Sequence, residues 1–229
     1  MKLTNAHIQE LFKFTRKHFV EHYDVQTELV DHLANDIEEI WVANPHLSFE
    51  EARDISFKKF GIFGFMDVVE AKQKRLGKKY RTILLTYMKD WFSIPKILVT
   101  LSIFFFFYYV MSVNISKSYL SALMLVLGII DVVLASKLSK KAKQRFQEKN
   151  RKYLLEDMIF KAGAFSSVLI FSNLFNLSSL LRSTDTFYFK ICIAALITIA
   201  IIYSYISLLI IPQKAEELLE ETYPEYKIS

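Results

Sequence analysis

The chain has 229 residues, is 52% hydrophobic and carries a formal net charge of +5. Its mean hydropathy of +0.23 is high for a soluble domain, and the apolar residues crowd into the part after Pro95. That segregation points to one soluble domain followed by a membrane domain. The single cysteine, Cys192, excludes an intrachain disulfide framework and a thiolate metal cluster.

The opening stretch "MKLTNAHIQELFKFTRKHF" has no apolar core and no small-residue cleavage site. It does not read as a signal peptide, so residues 1–92 are expected to form a cytoplasmic domain. Periodicity there is helical throughout. A first helix is expected over Asn5 to His18, with Ile8, Leu11, Phe12 and Phe19 inward. A second, over Asp24 to Ala43, carries the stripe Val25, Leu29, Leu33, Ile37, Ile40 and Trp41 at spacings of three and four. A third opens on a capping box, Ser48 with Glu51, and closes at Gly61, a residue suited to a left-handed cap. A fourth begins near Phe65 and runs toward Trp91.

On the second helix Glu28, His32 and Asp36 share one face, with Asp31 further round. Two acids one turn either side of a histidine favour its charged form. Three roles fit such a pattern: fixing the helix against its neighbours, docking a partner, or holding a metal together with His18 and His22. No HExxH spacing and no cysteine assists the third, no side chain is marked as an activated nucleophile, and no cofactor is implied.

The run "YDVQTELVDHLANDIE" followed by "SFEEARDISFKKFG" resembles the HAAS-type and related permease-prefix domains. The matching positions are Glu28, Leu29, Asp31, His32, Leu33, Ser48, Glu50, Glu51, Ala52, Phe60 and Gly61. The resemblance implies a small helical domain ahead of bacterial membrane segments. It implies no enzymatic activity but signalling or regulation at the membrane, with a protein partner such as a membrane protein or a PadR-type transcriptional regulator. The acidic-proline turn usual after F-G is replaced here by "IFGFMDVVEAKQKR".

A membrane-spanning helix needs about 20 apolar residues for roughly 30 Å of hydrocarbon. Four stretches are expected to span within a 93–212 membrane domain: 94–113, 119–136, 159–181 and 188–211. The third is interrupted by Asn173 and Asn176. The connection at 137–158 holds Lys137, Lys140, Lys141, Lys143, Arg145, Lys149, Arg151 and Lys152, whereas the other short connections have only Lys117, Arg182 and Asp185. By the positive-inside rule the basic connection and both termini face the cytoplasm. Tyr108, Tyr109, Tyr119, Phe187 and Tyr188 are then an outer aromatic belt.

Two partners suit the basic connection: anionic lipid headgroups, or the acidic residues of the N-terminal domain and of the 213–229 tail. Within the spans Asp131 and Lys161 lie at matched depth and are expected to pair, since a lone charge at mid-bilayer costs roughly 2.5–3.5 kcal/mol on insertion scales. Gly163 and Ser167, four apart, permit close helix contact.

The fold class expected is all-α, a small cytoplasmic helical domain and a four-helix transmembrane domain. The expected function is a non-catalytic regulatory or interaction protein of the bacterial cytoplasmic membrane. A small transporter or accessory subunit, resting on Asp131, Lys161, Asn173 and Asn176, comes second, and a metal-dependent membrane enzyme third. Nucleic acid is not an expected partner, because the folded cytoplasmic domain is acidic. The sequence assigns no oligomeric state.

Overall fold

The computed structural model describes residues 2–113, 117–149, 151–180 and 186–228. No strand occurs among them. They form two compact units, Met1–Lys78 with Lys149–Leu154, and Lys79–Glu148 with Leu155–Ser229.

In the first unit α1 (Asn5–Lys17) packs on α2 (Tyr23–Ala43), and α2 on α3 (Phe49–Lys58). The stripe decides how α2 lies: Val25, Leu29, Leu33 and Ile37 are all 0% exposed, facing Leu11 and Ala52 in the same state. Each such side chain contributes roughly 1.5–3 kcal/mol on burial, so the four together outweigh any ion pair at the flank. The capping box forms. Glu51 N–H donates to Ser48 Oγ at 3.2 Å, and Ser48 N–H donates to Glu51 Oε2 at 2.9 Å. Trp41 donates its indole N–H to the Leu47 carbonyl at 3.1 Å, tying the end of α2 to the approach to α3. Gly61 takes φ +75°, which lets the chain leave α3 without the steric cost of a Cβ.

One inward residue is misplaced by periodicity. Phe19 is 89% exposed with φ +64°. The chain reverses there between α1 and α2, and Val20 is the buried residue instead. Its carbonyl accepts from the Gln26 amide at 2.6 Å.

α4 (Met66–Trp91) runs unbroken through Gly77. It meets α5 (Lys96–Ser112) at a bend of 87°. In the second unit α6 (Lys117–Lys149) is 33 residues long. The expected connection from 137 is therefore a continuation of the helix to Lys149, and the next helix is α7 (Leu154–Asp157). A π-helical turn, Met158–Ala162, joins α7 to α8 (Gly163–Leu180). A second, Ile206–Ile210, joins α9 (Phe187–Tyr205) to α10 (Ile211–Gln213).

Among the described residues two helices are long and apolar enough to cross a membrane, Tyr119–Gln147 and Phe187–Gln213, and the bent pair α4–α5 makes a third if it is one span. α8 does not meet that test over its described residues. Its apolar run is broken at Asn173, whose amide turns back to the Leu169 carbonyl at 2.8 Å. The expected end of that span at Leu181, and Arg182 and Asp185 after it, lie outside the described residues.

Phe107 of α5, Met124 of α6 and Ile193, Ala194 and Ile197 of α9 form one core cluster. Phe171 and Leu174 of α8 with Ala200 of α9 form a second. The acidic tail is folded, as α11 (Ala215–Thr222) and a 3-10 turn, Pro224–Ile228, with Leu218, Leu219, Tyr223 and Tyr226 buried. Those four apolar or aromatic side chains are what hold an otherwise glutamate-rich segment down.

Candidate functional site

The four polar residues singled out on α2 divide into two pairs. Glu28 accepts from Lys72 Nζ of α4 at 2.6 Å, with an Arg75 guanidinium nitrogen at 3.5 Å. Asp36 accepts from Lys59 Nζ at 2.5 Å. Asp31 and His32 are exposed. The outer two therefore fasten α2 to its neighbours, and the inner two are left on the surface. His32 and Val68 stand between two adjoining clefts of about 350 and 430 Å³. The first also takes Asp36, Lys59 and Phe60 as walls; the second takes Glu28, Asp67, Ala71, Lys72 and Arg75.

Partial burial pushes the Glu28 carboxyl up, but the Lys72 hydrogen bond and the charges of Lys72 and Arg75 hold it below its ordinary value. Burial acts likewise on Asp36, and Lys59 outweighs it. Groups whose folded value is depressed add stability above their unfolded value, and lose it as pH falls through the folded one. The first unit is expected to lose stability below about pH 4. Glu28→Gln with Asp36→Asn should be less stable than the parent at neutral pH and show a shallower acid slope. Urea midpoints across pH measure both.

The metal alternative is not assembled. His18 lies in an aromatic cluster, its ring 4.3 Å from Phe14 and 4.5 Å from Phe57. Its Nδ1 is 2.9 Å from the Phe14 carbonyl. Among the described residues no three His, Cys, Asp or Glu side chains converge as a ligand set.

The basic segment, with lipid headgroups and acidic protein residues as its two expected partners, splits by residue. Lys137, Lys140, Lys141 and Lys143 are exposed along α6. The Lys149 side chain lies outside the described ones. Arg145 turns inward, its Nε donating to Glu156 at 2.7 Å and one Nη to Glu216 at 2.6 Å and to the Tyr226 hydroxyl at 2.9 Å. A guanidinium presents a rigid fork of donors, and here three oxygens from two segments meet it. Further on, Arg151 stacks over the Tyr23 ring at 4.4 Å and Lys152 pairs with Glu21 at 2.8 Å. The backbone is tied too. Tyr23 N–H donates to the Lys152 carbonyl at 2.7 Å, and Leu154 N–H to Asp24 Oδ1 at 3.1 Å. Residues 151–154 are a strap across the start of α2, a pairing between segments that local periodicity does not encode.

The expected Asp131–Lys161 pair does not form. Lys161 bonds Asp157 at 3.0 Å, one turn back on its own helical run. Asp131 is buried, its Oδ2 in contact with the Ser167 hydroxyl of α8 and the Ser204 hydroxyl of α9. The small residue at 163 does permit close contact: a Cβ there would collide with the Tyr80 hydroxyl and lie 3.7 Å from the Ser207 Cβ.

Fold and sites together define an all-helical protein with helices apolar enough to cross a membrane. No family model matches the chain, no curated protein matches it in sequence, and no solved structure matches it.

Proposed function

We propose that this is a non-catalytic regulatory or interaction protein of the bacterial cytoplasmic membrane. In this reading the 1–92 domain lies in the cytoplasm and docks a protein partner, as its resemblance to HAAS-type domains implies. With α8 counted as a fourth span in spite of the break at Asn173, both termini fall on the cytoplasmic side, the basic side by the positive-inside rule. The exposed Lys137, Lys140, Lys141 and Lys143 meet anionic headgroups, each adding about 1 kcal/mol near the surface. Tyr108 and Phe187 pack edge to face at 6.3 Å, which supports a common outer end for the helices that carry them.

The observation that carries the docking reading is the division of the α2 cluster. Glu28 and Asp36 are occupied by lysines, while Asp31 and His32 stand exposed, His32 on the wall of both clefts. The test is co-purification from native membranes with a tag after the C-terminus. A stoichiometric partner is expected, and Asp31→Lys with His32→Ala should weaken it at least about tenfold, on the order of 1–2 kcal/mol, with unchanged thermal stability. A partner retained by that double variant would contradict the docking surface. So would a protein that purifies alone.

A second reading, a small transporter or a transporter's accessory subunit, draws on Asp131 alone, a carboxyl buried among helices and bonded to hydroxyls. Buried ionisable groups in spans are commonly functional.

A further inference from the structure

Asp131, Ser167 and Ser204 come from three helices, α6, α8 and α9, and all three are buried. Their oxygens form a closed ring. Ser167 Oγ contacts Asp131 Oδ2, Ser204 Oγ is 3.1 Å from the same oxygen, and the two Oγ atoms are 2.7 Å apart. Three mutual contacts need three protons. Each serine hydroxyl brings one, and an ionised carboxylate brings none. With Asp131 ionised, one side of the ring would set lone pair against lone pair. A carboxylic acid protonated at Oδ2 supplies the missing donor: it donates to one serine, that serine to the other, and the second back to Oδ2.

Charge points the same way. No described cation pairs with Asp131, since Lys161 is bound to Asp157. The groups bonded to it from α8 and α9 are the two serines, and Tyr203 of α9 bonds Ser166 instead. A bare carboxylate held only by hydroxyls inside a spanning segment is costly, and a neutral acid is not. The ring also sits between two unusual backbone turns. One π-helical turn ends at Ala162, five residues before Ser167, and the other begins at Ile206, two residues after Ser204. Such turns are rare and recur at functional sites.

We propose that Asp131 is a proton-binding site, holding a proton at neutral pH that closes the hydrogen-bond ring with Ser167 and Ser204. Release follows COOH → COO⁻ + H⁺. It removes one of three ring bonds and leaves an unpaired charge, so the contact of α6 with α8 and α9 loosens when the proton leaves. Packing of these helices thereby becomes sensitive to proton supply. This inference is independent of the docking reading.

The full-length protein in liposomes provides the test, by infrared difference spectroscopy of the protonated-carboxyl C=O stretch near neutral pH. The expected result is a band in the wild type that Asp131→Asn loses. Ser167→Ala with Ser204→Ala should shift that band, because the acid would lose its ring partners. A wild type without the band overturns the proposal, and so does a band that persists unchanged in Asp131→Asn. Should that variant fail to fold, reaction with dicyclohexylcarbodiimide decides. The acid proton moves to a carbodiimide nitrogen while the carboxylate oxygen bonds the central carbon. An adduct mapped by mass spectrometry to Asp131 supports the site; no adduct there overturns it.

Discussion

Arg145→Leu is expected to lower the stability of the second unit by about 3–5 kcal/mol, because removing one partner of a buried ion pair strands the other. The Arg145 side chain is 15% exposed and that of Glu156 is 9% exposed. With the guanidinium gone, Glu156 stays in the interior with no counter-charge. Glu216 and the Tyr226 hydroxyl lose the Arg145 donor as well, and Phe160 loses the guanidinium stacked 5.3 Å from its ring centre. A companion variant separates the cost of a stranded charge from the worth of the pair. Arg145→Leu with Glu156→Leu should regain most of the loss, since well-packed apolar side chains replace buried pairs at little net cost. Arg145→Lys should fall between, keeping the charge but not the fork. Thermal unfolding of the full-length protein in detergent, followed by circular dichroism, measures all three. Equal stability of Arg145→Leu and the parent would show that the network contributes nothing.

Tyr153→Ala is expected to detach the strap from the start of α2 at a cost of about 3 kcal/mol, toward the low end for deleting a buried ring. Tyr153 is 0% exposed and packs edge to face on Tyr23 at 5.8 Å. With Leu154, 3% exposed, it is one of the two buried apolar anchors of the segment. Without it, the bonds from Tyr23 N–H to Lys152 and from Leu154 N–H to Asp24 lose their cover. Amide exchange at Tyr23 should speed up on the order of a hundredfold, at 1.4 kcal/mol per factor of ten. Lys152→Ala is the contrast. Its partner Glu21 is 71% exposed, and pairs of that kind contribute about 0–1 kcal/mol. If Lys152→Ala frees the strap as much as Tyr153→Ala does, electrostatics and not burial holds it.

The strap and the Arg145 network change how the basic segment is understood. Lipid and acidic protein looked like competing partners for the whole run. Instead the partners are assigned residue by residue. Lys137, Lys140, Lys141 and Lys143 remain on the surface, while Arg145 and Lys152 are paired with protein carboxylates and Arg151 is stacked on Tyr23. On the proposed lipid reading, neutralising only the exposed lysines should change lipid attraction and leave the strap in place.

Local pattern alone determined the all-helical class, the α2 stripe, the Ser48 capping box, the stop at Gly61 and the most apolar helices. Each rests on residues within one or two turns of one another, where helical geometry fixes which side chains meet. Tertiary structure decided the rest. It turned Phe19 outward, extended α6 through the expected connection, folded the acidic tail and drew Arg145 inside. It also replaced Lys161 by Ser167 and Ser204 as the partners of Asp131, 36 and 73 residues away in the chain. Matched depth along two helices says nothing of their rotation about their own axes. That rotation is set by the packing of side chains from three helices at once, and it determines whether a carboxyl meets a cation or a hydroxyl.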